Sequence, residues 1–166
     1  MSIQTLLDTM DRLQEAHEAL LELAQDKKQI LVSNDVEQLN LIVNKESKWI
    51  RVISEANNQR IQLINSYLIS RGYNPNSLIT VSDLIKVIFN AQEKQALTQA
   101  QQKLLAAVKQ LKSANTFNQQ LIEQSLSFIN YTVDLVLGAP EDDVIYHNPN
   151  QQAYGTKRLG LFDTKA

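Results

Sequence analysis

The side chains able to do chemistry are few, so they can be weighed one at a time. The chain has 166 residues, two histidines and no cysteine. His17 has the residue type of a phosphate acceptor in a histidine-phosphotransfer domain. Such a site needs an exposed imidazole, a nearby base and a small residue one turn on. Here Glu15, Glu18 and Leu21 surround it, and they would repel phosphate and crowd it. His17 is therefore expected at a packed boundary. His147 stands near Asp142 and Asp143, but no second histidine follows at the three- or four-residue spacing that a metal site on a helix requires. The expectation is a solvated tail and no metal. Without cysteine, disulfides and thiol catalysis are excluded. A glycine-rich phosphate loop and an inward Glu-x-x-His pair are also missing from the sequence. The reading is no catalytic residues, no cofactor and no enzyme. Asn130-Tyr131-Thr132 matches a glycosylation sequon, but it falls inside a predicted helix and is a chance match.

Composition narrows the class further. Net charge is −2 with both signs interspersed, and apolar residues make up 43% of the chain. No basic block offers the footprint of a nucleic-acid binder. No apolar run approaches the ~18 residues that a membrane span needs. Asp8 and Asp11 stand where a secretion signal would carry basic and then apolar residues, so no such signal is expected, and the lack of cysteine fits a reducing cytoplasm. Three of the four glycines and two of the three prolines lie after residue 137. That shift divides the chain into a helical bundle, 1–137, and a flexible C-terminal tail, 138–166.

What remains is helical patterning. Ser2 can cap a first helix in which Ile3, Leu6, Met10, Leu13, His17, Leu20, Ala24, Lys27 and Leu31 keep a 3,4 spacing. Ser33-Asn34-Asp35 breaks it, and Asn34 with Glu37 has capping-box spacing. A second helix follows from Asp35 to about Arg71, along Val36, Leu39, Val43, Ile50, Ile53, Ile61, Ile64 and Leu68. So short a link predicts an antiparallel hairpin. Glu46 and Asn57 interrupt the second stripe, which predicts a register shift or thin contact there. Trp49, the one tryptophan, either packs between helices or anchors a partner. Gly72 and then Pro75 close the helix. Thr80 with Asp83 can cap a short helix of Leu84, Ile85, Val87, Ile88 and Phe89, too densely apolar to be exposed and so read as a plug. Asn90 to Glu93 reads equally as a turn or as helix. A third long helix then runs from about Glu93 to Leu137. Its first face carries Leu104, Ala107, Leu111, Ala114, Asn118, Leu121, Ser125, Phe128, Thr132 and Leu135. The fold class is all-α: a long antiparallel hairpin plus a third long helix, joined by a short connecting helix. No stretch alternates as a strand would.

The third helix has more apolar surface than one stripe. Past residue 120, Leu121, Ile122, Leu126, Phe128, Ile129, Val133 and Val136 exceed the ~100° that a single packing partner covers. The excess is covered inside the chain, by a second copy in a homodimer, or by a client protein. The tail beyond has little to bury. Tyr146, Tyr154 and Phe162 are its hydrophobic handles, and Lys157-Arg158, flanked by Leu159 and Leu161, reads as solvated tail or as a short motif that folds on contact.

At these residues the chain resembles the FlgN family of flagellar type III export chaperones. The resemblance is carried by the Leu6-Leu7 to Leu20-Leu21 stripe with His17, by Lys27-Lys28, and by Asp35-Val36-Glu37 with Leu39. Asn58-Gln59-Arg60 with Leu63-Ile64, then Tyr131, Tyr154-Gly155 and Phe162-Asp163, complete it. It implies a cytoplasmic chaperone of the hook–filament junction proteins FlgK and FlgL. Such a protein grips their terminal helical segments and delivers them to the flagellar export apparatus. It implies a client grip at Leu121 through Leu137, and a docking role for a tail tyrosine, Tyr146 or Tyr154. The alternative from another class is a self-associating coiled-coil rod joined through the Ile3–Leu31 seam.

Overall fold

A computed structural model describes residues 3–74 and 78–137. In chain order the helices are α1 (Ile3–Ser33), α2 (Val36–Ser70), α3 (Val81–Val87) and α4 (Ala91–Leu137), with no strand among the described residues. The all-α class and the hairpin with a third long helix are as the patterning predicts. Contacts divide the chain into two units, Met1–Phe128 and Ile129–Ala166. The division falls inside α4.

In the first unit, α1 and α2 run antiparallel across a two-residue link, Asn34 and Asp35. The closure differs from the predicted Asn34 cap. Asn34 takes φ 55°, the left-handed conformation that a short polar side chain tolerates. Its N–H donates to the Leu31 carbonyl at 3.4 Å and the next N–H, of Asp35, donates to the Ile30 carbonyl at 3.2 Å. Those two bonds satisfy the last carbonyls of α1, as in a Schellman ending. Asp35 is the cap of α2, its carboxylate accepting from the Gln38 N–H at 3.0 Å. Gly72 closes α2 in the same way as Asn34 closes α1. It has φ 86°, and the Tyr73 N–H donates to the Leu68 carbonyl at 3.0 Å.

The capping box predicted for the short helix is present. Thr80 Oγ1 accepts from the Asp83 N–H at 3.2 Å, while the Asp83 carboxylate accepts from the Thr80 N–H at 3.2 Å and from its hydroxyl at 2.6 Å. The hydroxyl bond, with Lys86 Nζ at 3.2 Å, holds the Asp83 carboxyl below its ordinary pKa. Val81, Leu84 and Ile88 are buried, so α3 does act as a plug. Phe89 departs from that expectation: the helix stops at Val87, Ile88 turns extended, and Phe89 is 90% exposed. The stretch Asn90 to Glu93 is helical from Ala91 onward, with Asn90 just outside the helix. The Asn90 Oδ1 accepts from the N–H groups of Gln92 and Glu93 at 2.9 and 3.2 Å, capping α4.

The core gathers where α1 begins, α2 ends and α4 starts. Ile3, Leu6 and Met10 meet Ile64 and Leu68, and α3 contributes Val81, Leu84 and Ile88 against Leu97 and Ala100 of α4. The α1 seam is buried from Ile3 to Ala24 much as its heptads predict. The α2 seam is corrected. Ile42 and Ala56 are buried, whereas Val36, Val43 and Ile50 of the predicted stripe are exposed. Alanines at Ala16, Ala24, Ala56, Ala100 and Ala107 line these seams. Small side chains let helices approach closely, so a stripe read from bulky residues alone drifts off the true contact line.

Candidate functional site

Sequence reasoning singled out apolar residues on α4, two histidines, one tryptophan and a set of tail residues. The structure places the first group on one helix. Leu121 and Ile122 are half-buried. In the same unit Leu126 and Phe128 are exposed. In the second unit Ile129, Val133 and Val136 are exposed, and their 4,3 spacing puts them on one helix face. The exposures of Leu126, Phe128, Ile129, Val133 and Val136 lie between 44% and 77%. Tyr131, Leu135 and Leu137 are exposed as well. A single exposed leucine is ordinary, but a helix end with no buried position from Gln119 to Leu137 and this many large apolar side chains is not.

The polar positions of the seams find partners. Lys27, a polar member of the α1 stripe, and Glu46, an interruption in that of α2, meet across the hairpin with Nζ to Oε2 at 2.7 Å and side-chain exposures of 16% and 15%. Asn57 Oδ1 accepts two bonds from Arg60, at 3.2 and 3.0 Å. Burial of the Arg60 guanidinium lowers its pKa. His17 is half-buried, and its Nδ1 donates to the Leu13 carbonyl at 2.7 Å, the boundary position expected of it. An open trough of about 640 Å³ beside it is lined by Val108, Leu111, Lys112 and Glu123 among others. Among the described residues no base or nucleophile pairs with the imidazole. Among the described residues no cluster of His, Cys, Asp or Glu could hold a metal. Among the same residues no helix is long and apolar enough to cross a membrane. Trp49 is 37% exposed on α2 and is not part of the core cluster. Tyr146, Tyr154, His147, Asp142, Asp143, Lys157, Arg158 and Phe162 lie outside the described residues.

One residue was passed over in the sequence as an ordinary member of the α4 seam. Asn118 is 3% exposed, and its Nδ2 donates to the Ala24 carbonyl of α1 at 2.7 Å. Its Oδ1 is buried with no hydrogen-bond partner among the described residues. The signal was available: it is an amide at a seam position whose neighbours one, two and three turns back are Ala114, Leu111 and Ala107.

A helix face rich in apolar side chains and free of catalytic groups is suited to holding another polypeptide. The family model of the FlgN protein matches residues 1–153. This chain belongs to the FlgN family. That family is one of flagellar export chaperones, not of enzymes. The chain is also similar to YvyG of Bacillus subtilis (strain 168), described as an uncharacterized protein, with 30% identity over 168 residues spanning 100% of both chains. No solved structure matches the chain.

Proposed function

We propose that this FlgN-family protein works in the cytoplasm, where it holds the terminal helical segments of the hook–filament junction proteins FlgK and FlgL and carries them to the flagellar export apparatus. The observation that supports this reading is the apolar series on α4: half-buried Leu121 and Ile122 with exposed Leu126 and Phe128 in the first unit, and exposed Ile129, Val133 and Val136 in the second. An amphipathic client helix laid on such a face buries both apolar surfaces. Each fully buried aliphatic side chain contributes about 1.5–3 kcal/mol. Ordering a disordered client costs about 2–5 kcal/mol. The balance gives a moderate affinity, which suits a carrier that must release its cargo. Tyr146 and Tyr154 are the residues we assign to docking at the export apparatus.

The test is capture of terminal FlgK and FlgL fragments by titration. Ile129→Asp and Val133→Asp should each weaken capture by about ten- to a hundredfold, with helix content by circular dichroism unchanged. Normal capture by both variants would remove the assignment of this face. Tyr146→Ala and Tyr154→Ala should spare capture and reduce secretion of the junction proteins. The self-associating rod is disfavoured by one observation. Its Ile3–Leu31 seam is buried within the chain from Ile3 to Ala24, so a second copy would have to use another face.

A further inference from the structure

The Asn118 layer combines three features that a well-packed seam does not have. The first is the orphaned Oδ1. The second is the bond that Nδ2 does make. Ala24 lies in the interior of α1, where its carbonyl already accepts a helical hydrogen bond, so the amide adds a second bond to a satisfied acceptor. A bond of that kind is worth little net, while a buried unsatisfied acceptor is costly. The third is a cavity of about 290 Å³ at the same level, lined by Leu20, Ile50, Leu111, Ile122 and the Lys27–Glu46 pair as well as by Asn118. An apolar side chain at residue 118 would remove the orphan and pack against these neighbours.

We propose that Asn118 is a releasable latch between α4 and the hairpin, and that client capture proceeds by releasing it. The contact is strong enough to set the register of α4 against α1 and weak enough to open. Opening gives Oδ1 a solvent or client donor and uncovers Leu20 and Ile122, which continue the exposed series inward. The apolar segment of a client enters at this layer, with the cavity as its first anchor point. The gating step rests on the chaperone reading above, whereas the weakness of the latch does not.

The chain has no cysteine, so a cysteine pair introduced at the exposed Gln25 and Gln120 labels one distance across the joint and leaves the Lys28–Phe117 contact in place. Spin-label distance measurement on the full chain should show two populations. The longer one should grow when a terminal FlgK fragment is added. Asn118→Leu should abolish the longer population, raise Tm by roughly 2–4 °C and weaken fragment capture at least tenfold. Asn118→Asp, which lacks the amide donor and sets a carboxylate against the Ala24 carbonyl, should enlarge the longer population. A single distance in the unaltered protein that the fragment does not change would overturn the latch, as would a fall in Tm for Asn118→Leu. A raised Tm with unchanged capture would overturn the gating step. If the unaltered protein captures no fragment, the chaperone reading fails, and the label distances and Tm without fragment still decide whether the latch exists.

Discussion

The two ends of the Met1–Phe128 unit are held by different means. Where α1 begins, α2 ends and α4 starts, Leu6, Met10, Ile64, Leu84 and Leu97 are all but inaccessible, and α3 closes the space between the long helices. Toward the hairpin link, burial comes from Ala24, Ile42 and the amide of Asn118, while Val32, Val36, Leu41 and Ile50 are exposed. One end has the close packing of a domain interior. The other has an ion pair, one buried alanine and a buried amide. The difference shows how one short sequence can combine a stable anchor with a surface kept available. The plug helix supplies the fourth wall at one end, and nothing among the described residues supplies it at the other.

The largest expected effect tests that contrast directly. Leu84→Ala should cost about 2–5 kcal/mol by denaturant unfolding, because it opens a cavity in the sealed end. Ile50→Ala, the same kind of truncation at the open end, should change stability by about 0.5 kcal/mol or less. Equal costs would mean that the two ends are packed alike. Next in size is the Lys27–Glu46 pair. Removing either partner leaves the other charge half-buried, so Lys27→Ala and Glu46→Ala should each cost about 1–2 kcal/mol. The double variant should cost clearly less than their sum. Additive costs would make the pair incidental. Thr80→Ala should cost about 1 kcal/mol through loss of the α3 cap, and should loosen the sealed end alone.

The smallest effect is one of pH. Because Asp83 has a lowered pKa in the folded chain, it contributes stability above the ordinary carboxylate range. That contribution is lost as pH falls through its lowered pKa. Asp83→Asn should therefore flatten the acid limb of Tm against pH slightly, and should leave neutral behaviour near that of a chain with a weakened cap. A steeper acid limb in the variant would be the wrong sign.

What could be read from the sequence follows from how local each determinant is. The Thr80–Asp83 box, the Gly72 ending and the α1 stripe are set within one or two turns, so residue types at fixed offsets suffice. Asn34 and Asp35 are adjacent residues that can both cap. Only the left-handed backbone at Asn34 decides between them. Lys27 was recognisable as a polar member of its stripe and Glu46 as an interruption in the other. Their meeting depends on the register of α2 against α1, which the link geometry sets. The α2 seam went astray for a related reason, since Ala56 outranks Val43 and Ile50 at the contact line only because a small side chain permits closer approach. Of the candidate site, the exposed series on α4 was legible as an excess of apolar residues. Asn118 was not, because a buried amide with half its hydrogen bonding unmet is a property of the assembled layer.

Trp49 gives the contrast an optical consequence. It is the one indole in the chain, only part-shielded on α2 and next in sequence to Ile50, which lines the Asn118 cavity. Its emission therefore comes entirely from the open end, while the sealed end, with no tryptophan, is dark. Excited at the red edge, the unlabelled protein reports on one half of its own bundle. A fluorescence melt and a calorimetric melt of the same sample then watch different parts of one molecule, and any gap between the two curves measures how independently the ends come apart.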